Sequence, residues 1–259
     1  MRFKALSPSP RVVAAGRRIE LSGGPHAVLL LHGWTGWTGR VAPLASRLHD
    51  AGHTVVVPRL PGHGTCVADM LQTRADDWVR CAVDEYLDIR DRFERVSIVG
   101  TSMGAVLAAV VAAAFDVERV ALLAPAFLVR NPFIRFTPVL KWFVPRISGD
   151  WDESRESNPH HVDIAREYAS YTYTSMAGEL YRVQRLGLRR LASLTAETLV
   201  VVSRNDESVP PRVADLIEKR SNARRFRKVV VERSNHQLAE HVDRQAVADA
   251  VVDWFADRR

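Results

Sequence analysis

The chain has 259 residues, 47% of them hydrophobic and 25% charged, which supplies one large core and excludes a disordered or fibrous protein. Its net charge is +6, yet all but four of the 36 basic residues are arginines scattered among acids, so no nucleic-acid partner is expected. Only two cysteines occur, Cys66 and Cys81, which excludes a disulfide framework and points to free thiols in a reducing, cytoplasmic setting.

The first ten residues lead into prolines and arginines rather than an apolar stretch, so no secretion signal is expected. No apolar run reaches the length of a bilayer span either. Short apolar runs then alternate with segments of helical period, the pattern of an α/β protein whose mostly parallel sheet is covered by helices on both faces. Strands are predicted at Ala27 to Leu31, Thr54 to Val57, Val96 to Val99, Val120 to Leu123, Thr198 to Val202 and Val229 to Val231. Helices are predicted at Val41 to Ala51, at Asp76 to Phe93 with Thr73 as N-cap, and at Ala105 to Ala114. Two more follow, Arg212 to Arg220 after Pro210-Pro211 and Asp243 to Ala256.

One interval breaks this rhythm. From Pro125 to Thr195 no strong strand is visible, although aromatic residues such as Phe133, Trp142, Tyr168 and Tyr171 are frequent. A structureless loop of that length does not suit a compact domain, so a folded, mainly helical insertion over one end of the sheet is expected. Prolines restrict its first half to short helices, and Asp163 to Leu194 has room for two longer ones. The predicted organisation is a core of residues 1–124 and 196–259 with a cap of residues 125–195.

Gly100-Thr101-Ser102-Met103-Gly104 spells G-x-S-x-G between a predicted strand and a predicted helix. Such a turn lifts a serine hydroxyl out of the sheet edge, and glycines flank it because a Cβ there would strike neighbouring backbone. A serine hydroxyl is a poor nucleophile near neutral pH, so it needs a base and a group that orients the base. The turn after Thr198 to Val202 offers two carboxylates, Asp206 and Glu207. The segment after Val229 to Val231 offers two histidines: His236, and His241, which stands before Val242-Asp243 like a surface residue at a helix entry. His32 and His63, each beside glycine, are expected to shape loops, and His160-His161 is too isolated to suggest a metal.

These features carry a family resemblance. With His32-Gly33-Trp34-Thr35-Gly36 after the first long strand, Pro61-Gly62-His63-Gly64 after the next, the Ser102 turn, the Asp206 loop and the late His236, the chain resembles the α/β-hydrolases. Within them it is similar to bacterial carboxylesterases and monoacylglycerol-lipase-like enzymes. The resemblance covers most of the chain, but residues 125–195 match only in position and length. It implies Ser102 as nucleophile, Asp206 rather than Glu207 as orienting acid, His236 as base, and the amides of Met103 and Trp34 as the oxyanion hole. It also implies ester hydrolysis with no metal or organic cofactor, and the aromatic, apolar residues of 125–195 suggest a hydrophobic acyl or alcohol group, in a small-to-medium ester or a monoacylglycerol. Serine at this turn argues against dehalogenase and epoxide-hydrolase chemistry, which uses aspartate there. Thioesterase, amidase, acyltransferase and carbon–carbon hydrolase activities stay open, as does a noncatalytic binding role. A histidine base must be neutral to act, so activity is expected to fall in acid.

Overall fold

In the computed structural model, which describes residues 5–6, 9–149, 151–152, 156 and 158–256, every predicted strand forms. In chain order the amino-terminal half contains β1 (Ile19–Leu21), β2 (His26–Leu31), α1 (Ala42–Asp50), β3 (Thr54–Val57), α2 (Val67–Met70), α3 (Ala75–Arg92), β4 (Arg95–Thr101), α4 (Met103–Ala114) and β5 (Arg119–Leu123). The segment that follows holds α5 (Thr137–Leu140), β6 (Arg146–Ser148), α6 (Val162–Ala169), β7 (Tyr171–Tyr173) and α7 (Thr174–Arg190). The chain then returns through β8 (Glu197–Ser203), α8 (Val213–Arg220), β9 (Phe226–Val231) and α9 (Arg244–Ala256).

The main sheet runs β1-β3-β2-β4-β5-β8-β9, antiparallel at the β1 edge and parallel everywhere else. Alternate residues of each inner strand enter different cores. Ala27, Leu29 and Leu31 of β2 pack with α3, α4 and α8, whereas Val28 and Leu30 pack with α1 and α9. Covering both faces explains why these strands read as unbroken apolar runs rather than alternating ones. Each fully buried Val or Leu contributes about 1.5 to 3 kcal/mol, so the sheet and its two helical layers hold most of the folding free energy.

Helix α4 is apolar on every side, and Met103 through Ala112 are all buried. That composition makes sense only if something covers its outer face. Helix α7 does so, and Met176, Leu180 and Val183 join the same core as α3 and α4. Gly104, at the start of α4, marks how tightly this helix is pressed to the sheet: a Cβ there would lie 2.5 Å from the His32 carbonyl oxygen and closer still to that of Leu31. Gly104→Ala is therefore expected to cost about 3 kcal/mol, measured as a lower urea midpoint at unchanged slope.

Three predictions need correction. Strand β1 was not foreseen, because three residues on a sheet edge with Glu20 exposed at the centre give too short a pattern. The interval after β5 also contains strand, since β6 and β7 pair antiparallel with Ile147 opposite Thr172. Both strands are three residues long and mostly exposed, so hydrophobic periodicity is silent about them. The N-cap of α3 is Arg74 rather than Thr73: the Arg74 N–H donates to Asp77 Oδ2 at 2.8 Å, while Thr73 Oγ1 donates to the Met70 carbonyl at 2.7 Å. Thr73 thus closes the preceding turn and leaves α3 to be capped from within.

Candidate active site

Loops leaving the carboxyl ends of parallel strands converge on one side of the sheet, and here those after β2, β3, β4, β8 and β9 meet. Ser102 links β4 directly to α4 and adopts φ 53°, ψ −116°, a conformation that costs a residue with a Cβ about 1 to 3 kcal/mol. Backbone bonds hold it there. The Ser102 N–H donates to the Leu123 carbonyl at 2.8 Å, and the Ser102 carbonyl accepts from Ala126 N–H at 3.2 Å. Gly33 packs against this turn so closely that a Cβ on it would stand 3.2 Å from Ser102 Cβ.

Ser102 Oγ lies 2.8 Å from His236 Nε2, and His236 Nδ1 lies 2.8 Å from Asp206 Oδ2. The other carboxylate oxygen, Oδ1, accepts from Ser208 N–H and Val209 N–H, both at 2.8 Å. An ionised carboxylate only accepts, so the imidazole proton is assigned to Nδ1 and Nε2 is left to accept the serine hydroxyl. Asp206 is 1% exposed and His236 21%, which shelters the carboxylate while keeping the imidazole open to the cleft. Arg130 Nε donates to the Asp206 carbonyl at 2.8 Å and pins the loop from outside. Of the two carboxylates offered by the sequence, Asp206 meets the histidine; Glu207 is exposed on the cleft wall.

His241 is not a simple surface residue. It is half-buried, and its Nδ1 accepts from Asn235 N–H at 3.3 Å, bracing the loop that carries His236. His32 and His63 do shape the neighbouring loops. His32 Nε2 accepts from Leu60 N–H and His63 Nε2 from Thr35 N–H, each at 3.2 Å. Complete burial pushes His32 down to about 4 and His63 down to about 3, so both stay neutral and keep accepting. Thr35, at φ 55°, is thereby fixed beside Trp34. Trp34 lines the cleft and Met103 follows Ser102 at the start of α4.

The cleft has a volume of about 350 Å³ and is bounded by Trp34, Ser102, Tyr168, His236 and Glu240 among others. A second cavity of about 220 Å³ shares Trp34, Thr35, Tyr168 and Ala169 with it and is walled by Val67, Met70, Leu71 and Met176. The cleft also has a polar end that the sequence did not announce. Arg40 donates to Glu156 and, at 2.7 Å, to Glu240, while its guanidinium stands 4.2 Å from the centre of the Trp37 ring. These charges come from three distant parts of the chain, so no local motif could have linked them.

Residues 28–250 match the alpha/beta hydrolase family. The chain belongs to this family. The hydrolase is 29% identical over 246 residues to the thermostable monoacylglycerol lipase of Bacillus sp. (strain H-257), a match covering 95% of this chain and 96% of that one. It is also 32% identical over 105 residues to the carboxylesterase of Bacillus subtilis (strain 168), 40% of this chain and 39% of the relative. Its fold is shared with a structure described under the metagenome-derived lipolytic enzymes LipS and LipT, at TM-score 0.86 and 23% identity, covering 96% and 100% of the two chains. The monoacylglycerol lipase of Paleococcus ferrophilus superposes at TM-score 0.72 and 18% identity, covering 92% and 96%.

Cys66 and Cys81 of the hydrolase are free. Among the described residues no cluster of three or more His, Cys, Asp or Glu could hold a metal, and no helix is long and apolar enough to cross a membrane. Glu240 carries the main pH-sensitive charge of the polar end: burial pushes its pKa up to about 7 against the opposing pull of Arg40. A carboxyl raised on folding stabilises fully below its ordinary value of 4.5 and loses that contribution as pH rises toward 7. Thermal melts of Glu240→Gln and the unaltered protein should therefore diverge with pH. The advantage in Tm of the variant is expected to grow from pH 4.5 to pH 8, and a pH-independent difference would contradict the assignment.

Proposed function

We propose that this hydrolase cleaves carboxylic esters through an acyl-enzyme on Ser102. His236 Nε2 takes the hydroxyl proton as Oγ attacks the ester carbonyl, and Asp206 holds the imidazole and stabilises its protonated form. The amides of Trp34 and Met103 receive the developing oxyanion. His236 then gives its proton to the departing alkoxide, and water repeats the cycle to release the acid. The single observation carrying this reading is the unbroken chain of 2.8 Å contacts from Ser102 Oγ through His236 to Asp206 at the floor of an open cleft.

The two ends of that cleft support a substrate class. An acyl chain suits the adjoining cavity of Val67, Met70, Leu71 and Met176, and a hydroxylated alcohol suits the Arg40, Glu156 and Glu240 end. A monoacylglycerol has both parts, a simple small-to-medium hydrophobic ester fills the apolar one alone, and the names of the two Bacillus relatives support an ester of this kind. The segment 125–195 is proposed as a cap that limits chain length, because Tyr168, Ala169 and Met176 from it wall the cavities. A cytoplasmic setting is part of this reading, in keeping with the two free thiols.

A series of p-nitrophenyl esters of increasing acyl length, with a thioester and an amide of matched acyl group, tests the proposal. Highest kcat/KM on an ester of short or medium chain is expected. Faster turnover of the thioester or the amide would reassign the reaction.

A further inference from the structure

Seven large apolar side chains of one stretch, Phe133, Phe136, Val139, Trp142, Phe143, Val144 and Ile147, face solvent, and Trp142 and Phe143 are each 78% exposed. A contiguous run of this kind marks a surface that meets something other than water. Its charge says what. No acidic residue occurs between Ala124 and Gly149, whereas Arg130, Arg135, Lys141 and Arg146 all do. Arg130 is engaged with the Asp206 loop. The other three make no ion pair among the described residues and stand instead over aromatic faces: Arg135 at 4.7 Å from Phe136, Lys141 at 5.4 Å from Trp142 and Arg146 at 4.3 Å from Tyr171.

We propose that this face docks on an anionic lipid surface. Aromatic and aliphatic side chains flanked by cations fit the boundary where acyl chains meet phosphate groups: the apolar tips enter and the cations stay level with the headgroups. A second copy of the chain fits poorly, because an isologous contact would set Arg135, Lys141 and Arg146 against like charges with no carboxylate in the patch to pair them. The face is continuous with the second cavity. Ile147 pairs with Thr172, and Thr172, Tyr171 and the 40% exposed Leu71 line that cavity. Docking would thus bring the cavity wall to the lipid. The inference rests on the surface itself and not on the ester-hydrolase reading.

Co-sedimentation of the full chain with vesicles tests it without any substrate, so a failure of the ester reading leaves the result untouched. The protein is expected to bind phosphatidylcholine vesicles containing phosphatidylglycerol about tenfold or more tightly than phosphatidylcholine alone. Raised salt is expected to weaken that binding. Trp142→Ser with Phe143→Ser should weaken binding to the mixed vesicles about tenfold or more. Arg135→Gln, Lys141→Gln and Arg146→Gln together should erase the preference for the anionic vesicles. Both variants should turn over a short soluble ester as the unaltered protein does, which also verifies that they fold. Absence of binding to mixed vesicles, or equal binding by both variants, overturns the proposal. So does a dimer in sedimentation velocity that the Trp142 and Phe143 changes dissociate, since that assigns the face to a second copy.

Discussion

Ser102→Ala is expected to lower kcat/KM for a p-nitrophenyl ester by about 10⁴- to 10⁶-fold, with the secondary structure and melting behaviour nearly unchanged. The size follows from what is lost. Without Oγ no covalent intermediate forms, and whatever turnover survives comes from oxyanion stabilisation and binding alone. Stability should hold because the strain at φ 53° belongs to the backbone, which alanine shares, and the bonds to Leu123 and Ala126 are main-chain bonds. KM should shift little, since the hydroxyl contributes to the reacting bond rather than to the walls of the cleft. A decrease of less than tenfold would move the chemistry to another residue.

Asp206→Asn should cost about 10⁴-fold in kcat, and the hydrogen bonds explain why so small a change does so much. Oδ1 of Asp206 accepts from two backbone donors, Ser208 N–H and Val209 N–H. An asparagine must keep its oxygen there, which turns its NH₂ toward His236 Nδ1. That nitrogen then has to accept, the imidazole proton moves to Nε2, and the ring presents a donor to Ser102 where a base is needed. The fold is expected to survive, because the loop keeps both backbone bonds and the Arg130 contact to the Asp206 carbonyl. Glu207→Gln serves as the control: the side chain is exposed and not bonded to His236, so kcat should stay within about twofold. Equal losses at both positions, measured by steady-state kinetics, would contradict the division of roles.

Much of this arrangement is legible in the sequence because buried parallel strands and the turns at their ends obey local rules. Val96 to Val99 followed by Gly100 and Gly104 specifies a strand, a strained serine and a packed helix, and β4, Ser102 and α4 have that geometry. The spacing of Asp206 and His236 after β8 and β9 places both at the same end of the sheet, so distance along the chain becomes proximity in space. What escapes are contacts that no window of sequence contains. Arg40 meets Glu156 and Glu240 across the cleft, and His241 braces the His236 loop through a backbone N–H. The β6–β7 hairpin is likewise invisible, because six largely exposed residues leave no apolar alternation to read. Even the aromatics of segment 125–195 divide in a way that composition does not foretell: Tyr168 is buried against the site, while Trp142 and Phe143 face solvent.

The central claim is that one serine, made reactive by His236, carries the chemistry. Labelling the folded protein with a fluorophosphonate and locating the adduct by peptide mass spectrometry tests it most directly. A single adduct on the peptide containing Ser102 is expected, absent from Ser102→Ala and strongly slowed in His236→Ala. An adduct on a different residue, or no adduct on folded protein, would contradict it.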